Sequence, residues 1–305
     1  MALLIPGSGI VCYLVPANPL TLPPLYKKAI VFMVWSTLSF SVMTGLVKYL
    51  VHFPTFELVF FRSLGTLLIT TALLKKQGVS LWGTHRRLLV FRGLSGAISM
   101  VLFFGALHFI SIGSAVTLRY TAPLLTAIFA VVVYKEKMRA LQWLFILISF
   151  TGVVLVKGFD PSVSYWGFSM IMLCAIFSAS VYLIIGKIGT LEHPLVIVNY
   201  FMLTATLVGL LGSFFSWQTP VGIEWVLLAA LGIFGFFGQY FMTKAFQIYP
   251  SQWVAPFKYV EVFFTLSLGL FVFSETYTLL SFLGTFLIIF GLVLHVIYKQ
   301  EKCEA

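Results

Sequence analysis

The sequence predicts an all-α membrane protein with ten transmembrane helices, arranged as two inverted five-helix repeats. Three observations lead to this prediction: the composition, the length of the apolar segments and an internal repeat. Of the 305 residues, 60% are hydrophobic and 9% are charged, and the mean hydropathy is +1.05. A soluble domain carries about 25% charged residues. The composition therefore indicates that lipid, rather than water, surrounds most of the chain.

From residue 29 onward, apolar segments of about 20 residues alternate with short polar breaks. A helix that rises about 1.5 Å per residue needs about 20 residues to cross a hydrocarbon core about 30 Å thick. The breaks contain turn residues or charges, as at Asp160-Pro161 and Tyr249-Pro250. The alternating polarity of a β-barrel strand is absent from these segments. The predicted spans are 29–51, 56–74, 88–109, 113–133, 141–156, 165–186, 194–214, 224–245, 251–272 and 279–297.

The chain matches itself at a shift of 139 residues, which places Tyr120 on Tyr259 and Glu136 on Glu275. Each copy holds five spans, an odd number, so the second copy enters the membrane from the opposite face. Inverted repeats of this kind are typical of secondary transporters with a site near the midplane. The predicted organisation is an N-terminal extension over 1–28, a first repeat over 29–157, a connector over 158–164, a second repeat over 165–297 and a cytoplasmic tail over 298–305.

The positive charges indicate the orientation, because short cytoplasmic loops retain Lys and Arg. Clusters such as Lys75-Lys76 and Arg86-Arg87 fall on the same side as the N-terminus, and Arg92 is assigned to that side with them. Lys48 and Lys157 fall on the opposite side. We therefore expect both termini to be cytoplasmic, in a multi-pass protein of the bacterial cell (inner) membrane.

Several segments resemble the EamA-like branch of the drug/metabolite transporter superfamily, over about residues 29–297. The resemblance implies a ten-helix fold, alternating access and a cavity lined mainly by spans 1, 3, 4, 6, 8 and 9. It places spans 5 and 10 at the periphery or in a homodimer contact. The small four-helix multidrug branch has an acidic residue in its first span, which span 1 here lacks, so export of cationic drugs is disfavoured. The segments that carry the resemblance are Phe56 to Arg62, Gly105 to Ala115, Tyr120, Pro123, Ala127 to Lys137, and the repeat of the later part from Ala245 to Glu275.

Charged residues within the spans are the best candidates for function, because a charge in hydrocarbon costs at least about 2.5–3.5 kcal/mol. Arg119 in span 4 and Lys258 in span 9 occupy aligned positions, each about 10 Å below its own surface. The sequence predicts one substrate-binding cation at each entrance, although long side chains can also extend to the nearest interface. Glu261 follows Lys258 by three residues, so the two are expected to pair along one helix. Arg62 in span 2 admits a structural role equally well.

Neighbouring polar and aromatic groups complete the predicted site. Pro123 and Pro256 each remove a backbone donor and can open a helix beside a polar site. Histidine is the side chain whose ordinary pKa lies near neutral pH, so His108 is a candidate for proton coupling, as is Glu261. A lone histidine at a helix end is more often merely interfacial. The predicted substrate-binding residues are Arg119, Tyr120, Lys258, Tyr259, Glu261, Gln239 and Tyr240.

Other classes of function lack their motifs. Cys12, Cys174 and Cys303 have no close spacing, and no metal-ligand spacing, nucleophile elbow or phosphate-binding loop is present, so we predict neither an enzyme nor a bound cofactor or metal. Lys and Arg occur in short clusters between apolar runs, which argues against nucleic acid despite the net charge of +10. The expected partners are the lipid bilayer and a small organic substrate.

We therefore predict a secondary-active transporter of a small organic metabolite. The mixed charges favour a zwitterionic or anionic amino-acid-derived substrate, such as the S-adenosylmethionine carried by some EamA-like importers. A phosphate-ester or nucleotide-sugar antiporter is the alternative, because related branches use buried Lys and Arg for phosphate. A non-transporting membrane scaffold or sensor is the alternative from another class, and the two matched buried cations argue against it.

Overall fold

The computed structural model describes residues 2–4, 11–13, 24–134, 140–159, 163–188, 191–248 and 254–304. The described chain is almost entirely helical, with one antiparallel strand pair, β1 (Ala2–Leu4) and β2 (Val11–Tyr13), near its start. A 3₁₀ helix at Ala255–Tyr259 comes between the ninth and tenth α-helices. The α-helices are α1 (Pro24–Tyr49), α2 (Thr55–Lys76), α3 (Arg86–Ala106), α4 (Ile112–Arg119), α5 (Ala122–Tyr134), α6 (Ala140–Phe159), α7 (Tyr165–Ile188), α8 (Pro194–Ser213), α9 (Glu224–Ile248), α10 (Val260–Phe271) and α11 (Leu279–Glu304).

Within the described residues, six helices are long and apolar enough to cross a membrane: α1, α2, α3, α7, α8 and α9. Two more, α6 and α11, contain shorter apolar stretches, Ala140–Val156 and Leu279–Leu294. The outer faces of these helices expose many large apolar side chains. Because such surfaces need lipid around them, the chain is a multi-pass membrane protein.

The predicted span 113–133 is two helices rather than one. The N–H of Tyr120 donates to the carbonyls of Val116 and Thr117, and the N–H of Thr121 donates to Leu118. This shift to i→i−3 bonding ends α4, and Pro123, which has no N–H, lies in the first turn of α5. The second half is also interrupted at the position matched to Tyr120, because a 3₁₀ helix that contains Pro256 ends at Tyr259, before α10. Residues 251–253 of the predicted ninth span lie outside the described part.

The ends of the chain differ from the predicted boundaries. The first helix begins at Pro24, within the predicted extension over 1–28. The last helix continues to Glu304, so it includes most of the predicted tail over 298–305. Helical propensity and continuing i→i−4 bonding extend both helices beyond their apolar segments, because a helix does not end where its hydrophobicity ends.

The helix contacts follow a twofold pattern. The shift of 139 residues carries the start of α2 onto that of α8 and the start of α6 onto that of α11. Contacts of α1 with α9 are matched by contacts of α7 with α3, and contacts of α2 with α9 by contacts of α8 with α3. The remaining large contacts, α2 with α8 and α6 with α11, join matched helices directly. Two equivalent halves packed against each other produce this pattern, whereas the inverted orientation of the second half stays a prediction.

Glycines allow the closest contact between α2 and α9. A Cβ atom on Gly65 would lie 2.8 Å from the Cα of Gly232, and a Cβ on Gly232 would lie 2.7 Å from the Cα of Gly65. Such distances are shorter than real Cβ contacts, so neither position accepts a side chain without separating the helices. Small residues at helix contacts are the usual means of close packing in membranes, because the hydrophobic effect does not drive helices together in lipid.

Candidate functional site

A central cavity encloses about 760 Å³ of space, counting the part that opens to solvent. All six spans named from the resemblance contribute to its lining, through α1, α3, α4, α7, α9 and the 3₁₀ helix. Two further helices also reach it, α2 through Arg62 and α8 through Phe201. The aromatic part of the lining consists of Phe40, Phe103, Phe104, Phe201 and Tyr182.

The cavity lining is strongly cationic. Its charged members are Arg62, Arg92, Arg119 and Lys258. The nearest carboxylate among the described residues is Glu261, which is fully buried behind Arg119. One carboxylate against four cations leaves an excess of positive charge, and charge excess of this kind attracts anions into a water-excluded cleft.

The core of the site is an ion pair between Arg119 and Glu261, although they belong to different halves of the chain. Nη2 of Arg119 lies 2.7 Å from Oε1 of Glu261, and the Tyr120 hydroxyl lies 2.8 Å from the other carboxylate oxygen. The same hydroxyl lies 2.7 Å from the Lys258 carbonyl, so its single proton can be donated to either acceptor. The Arg119 guanidinium also packs over Phe103, with its Cζ 4.1 Å from the ring centroid. Charge, hydrogen bonds and ring contact together hold this arginine in one position.

The predicted pair between Lys258 and Glu261 is wrong. Glu261 takes Arg119 as its partner instead, because the packing of α4 on α10 brings that guanidinium to the carboxylate. The Lys258 ammonium turns towards aromatic groups, 3.4 Å from the Tyr182 hydroxyl. It also lies about 6 Å from three ring centroids, those of Phe40, Tyr120 and Tyr182.

The predicted placement of one cation at each entrance stays a prediction. Arg119 and Lys258 line the same cavity. The broken helices that carry them meet at the contact between the two halves, where Tyr120 and Tyr259 pack edge to face with ring centroids 5.1 Å apart. A depth below the membrane surface that is estimated along each span separately does not show that the two helix breaks face each other.

The sequence interpretation missed Arg92 as a cavity residue. It was assigned to the cytoplasmic side, but it is 3% exposed and lines the cavity. Its position in the sequence contained a usable signal, because α3 begins at Arg86, and Arg92 therefore lies almost two turns inside the helix. Arg62 is equally buried and lines the same cavity.

Three other predicted residues lie at different distances from the cavity. Gln239 belongs to the lining. Tyr240, the next residue on α9, is not part of the lining: it stacks on Phe236 at 5.4 Å, and Lys244 lies 4.9 Å above its ring. His108 lies beyond the end of α3 and contacts the Thr55 hydroxyl through Nε2, at 3.1 Å. Burial, with the nearby positive charge of Lys48, lowers the pKa of His108.

A second carboxylate cluster lies at the end of the bundle that is predicted to face outward. Both oxygens of Glu275 accept from the N–H of Ile112, at 3.0 and 3.1 Å, and one accepts from the Tyr277 hydroxyl at 2.6 Å. Lys48 lies 3.7 Å from Glu275 and donates to the carbonyls of Leu107 and Ile110, both at 2.9 Å. The cluster connects the end of α1, the start of α4 and the loop before α11, so it joins the two halves at that end.

Comparison with known proteins gives consistent matches along the chain. The sequence profile of the EamA-like transporter family matches residues 27–158 and again residues 165–297. The pseudopaline exporter CntI of Pseudomonas aeruginosa is 33% identical over 87% of this chain and 94% of that protein. The S-adenosylmethionine uptake transporter of Rickettsia prowazekii is 27% identical over 91% and 95%, and human solute carrier family 35 member G1 is 28% identical over 89% and 81%.

A solved crystal structure of a protein also matches, with a TM-score of 0.62 over 92% of this chain and 98% of that chain. The two sequences are 19% identical, so the match shows a shared fold alone.

Proposed function

Because the chain belongs to the EamA-like transporter family, we propose that it moves a zwitterionic or anionic amino-acid-derived metabolite across the membrane by alternating access. The chain is a transporter rather than an enzyme, as its relatives are. The proposal depends chiefly on one observation, the mixed-charge cluster of Arg119, Lys258 and Glu261 at a single central cavity.

The cluster suits both charges of an amino-acid head group. A substrate carboxylate would pair with Arg119 in place of Glu261. The substrate ammonium would then pair with the carboxylate of Glu261. In the empty carrier the two side chains satisfy each other, so neither charge is buried alone, which would cost several kcal/mol. Lys258 supplies a further cation, since the described residues place no carboxylate within ion-pair distance of its ammonium.

S-adenosylmethionine is one member of this substrate class. It carries an amino-acid head, and a relative from Rickettsia prowazekii is named for its uptake. The rings of Phe40, Phe103 and Tyr182 at the cavity offer faces on which a planar base could stack. A phosphate ester or nucleotide sugar is the second candidate, supported by the excess positive charge alone.

Alternating access by two inverted repeats belongs to the same proposal. It is supported by the twofold pattern of helix contacts and by the two matches of the family profile. We place the Glu275 end outward and both termini in the cytoplasm, in a bacterial inner membrane, because of the distribution of positive charge. The paired helices α6 and α11 would then lie at the periphery, where a second copy would bind in a homodimer.

Counterflow in proteoliposomes tests this function directly. Vesicles loaded with an unlabelled amino-acid-derived compound should accumulate its labelled form from outside. Arg119→Gln and Lys258→Gln should each weaken apparent affinity about ten- to a hundredfold, because each removes a charge-assisted hydrogen bond. Lys244→Gln is the matched control, since that lysine lies outside the cavity lining. Unchanged affinity in both cavity variants would contradict the proposed site.

Coupling is tested with Glu261→Gln. If Glu261 carries a proton, this variant should retain exchange of substrate for substrate but lose accumulation driven by a pH gradient. Loss of both activities would instead assign Glu261 to substrate binding. His108→Gln serves as the comparison, since His108 is the other predicted coupling residue and lies away from the cavity.

A further inference from the structure

Two cavity arginines have hydrogen-bond donors that nothing in the described protein satisfies. Nε of Arg62 and both Nε and Nη1 of Arg92 are buried without a hydrogen-bond partner among the described residues. The contact that Arg62 makes through Nη1 is weak, because its acceptor is the thioether sulfur of Met202, at 3.1 Å. Burying a charged donor without a partner is costly, so native structures rarely retain one without a role.

One aromatic ring holds both guanidinium groups. The Cζ of Arg92 lies 4.4 Å from the centroid of Phe201, and the Cζ of Arg62 lies 5.6 Å from the same centroid. Contact with a ring face positions a guanidinium but leaves its in-plane N–H groups available. Two like charges thus face one region of the cavity with no carboxylate between them among the described residues.

The backbone makes room for both groups. A Cβ on Gly96 would contact Nη1 of Arg92, and a Cβ on Gly235 would lie 2.9 Å from Nε of Arg62. These two glycines occupy matched positions, because they differ by the repeat shift of 139 residues. The missing side chains leave the space that the guanidinium groups occupy.

The arginine pair breaks the twofold symmetry of the chain. The position matched to Arg62 is Phe201, and the position matched to Arg92 is Leu231. The fold therefore builds the same part of the other half with apolar residues, so packing of the repeat does not require a cation at either position. By contrast, the cation at Arg119 is matched by Lys258.

We propose that Arg62 and Arg92 form a second anion-binding subsite, and that the substrate carries a further carboxylate besides its amino-acid head. This inference rests on the proposed function, because it extends the same cavity. A carboxylate accepts from guanidinium donors in the plane that both arginines present, and its charge offsets their mutual repulsion. The substrate class is an acidic amino-acid derivative with net negative charge, in contrast to S-adenosylmethionine, whose sulfonium adds a positive charge.

Thermal-shift and competition measurements on the purified full-length protein test the inference. The probes are matched acids and amides of increasing length: glutamate with glutamine, and 2-aminoadipate and 2-aminopimelate with their terminal amides. At least one acid should bind about ten- to a hundredfold more tightly than its amide, because only the acid makes charge-assisted bonds with the arginines. S-adenosylmethionine and O-phosphoserine are measured beside them.

The substitutions Arg62→Gln and Arg92→Gln should remove the preference for acid over amide, because the acid loses more affinity than its amide. Lys244→Gln is the control and should retain the preference. If the wild-type protein binds amides as tightly as acids, or if both arginine variants keep the preference, this inference is overturned while the proposed function stands. If none of the probes binds or exchanges, S-adenosylmethionine included, the proposed function fails as well. Preference for O-phosphoserine over every carboxylate would replace the carboxylate with a phosphate and refute the stated class.

A stability measurement separates binding from a structural role without any ligand. Arg92→Met keeps the volume of the side chain and removes its unpaired charge. If the guanidinium serves a ligand, the empty variant should melt at a higher temperature than the wild-type protein. If the arginine supports the fold, the melting temperature should fall, and that result would contradict the subsite.

Discussion

Glu275→Gln is expected to loosen the contact between the two halves at the Glu275 end of the bundle while leaving the fold intact. The carboxylate joins the two halves by accepting from the Ile112 N–H, and the Tyr277 hydroxyl, which donates to Glu275, accepts in turn from the Gly113 N–H. Burial and the adjacent Glu275 carboxylate raise the pKa of Tyr277, so its hydroxyl stays protonated and donates at neutral pH. Glutamine keeps the size of the side chain but removes its charge.

The magnitude follows from the contacts that change. Replacing a charge-assisted hydrogen bond by a neutral one loses about 1 kcal/mol, and two donors are affected. The ion pair with Lys48, at 3.7 Å and with both side chains partly exposed, contributes up to about 1 kcal/mol. A conformation that has these contacts should therefore lose about 2–3 kcal/mol relative to an open one that lacks them. At about 1.4 kcal/mol per factor of ten, the equilibrium shifts about 30- to 150-fold towards the open form.

Distances between spin labels measure this shift. Labels at Phe109 and Thr276, which are both exposed at this end, should give a longer second distance population in Glu275→Gln. Glu224→Gln is the matched control, since its carboxylate lies on the same side of the bundle but accepts from Val221 and pairs with His52. An unchanged distribution in Glu275→Gln, or the same change in Glu224→Gln, would refute the reasoning.

Three further predictions concern stability and orientation. Gly232→Ala should lower the free energy of unfolding by about 1–3 kcal/mol, because the added Cβ would overlap the facing α2 backbone. Denaturant titration in micelles measures this change. Gly105→Ala is the control and should be neutral or slightly stabilising, because no atom lies nearer than 3.5 Å to its added Cβ. Burial would raise the pKa of Glu192, but its hydrogen bonds hold the pKa below the usual value, so its stabilising effect should persist at neutral pH and be lost on acidification through the folded pKa. Denaturant titrations repeated at several pH values should show that the free energy of unfolding falls less on acidification in Glu192→Gln than in the wild-type protein. Single cysteines at Phe109 and Gly78 should label from outside and from the cytoplasm respectively, and the reverse pattern would invert the orientation.

The structure changes one detail of the topology test. Ser111 falls in the predicted outer loop and would be a natural choice for a labelling cysteine. It is buried, however, and its hydroxyl accepts from the Ser114 N–H at the start of α4. A cysteine at Ser111 would report the opening of this end rather than the side of the membrane, whereas the exposed Phe109 reports the side alone.

The sequence by itself determined the class of the protein, the order of its spans and the positions of its duplicated charges. These properties depend on local composition and on comparison of the chain with itself. The helix breaks beside Tyr120 and Tyr259 were also within reach, because proline lacks a backbone donor wherever it occurs. Arg119, Lys258 and Glu261 were identifiable as unusual because charge within an apolar segment is costly in any fold.

Only the tertiary structure decided which of these groups meet. Spacing along one helix favoured Lys258 as the partner of Glu261, but the packing of α4 on α10 placed Arg119 there instead. Arg92 was assigned to the cytoplasmic side, but the orientation of α3 about its own axis places this arginine in the cavity lining. Each residue advances a helix by about 100°, and both the direction in which a side chain points and the charge opposite it depend on contacts between segments more than a hundred residues apart. A pattern read along the chain contains no record of those contacts.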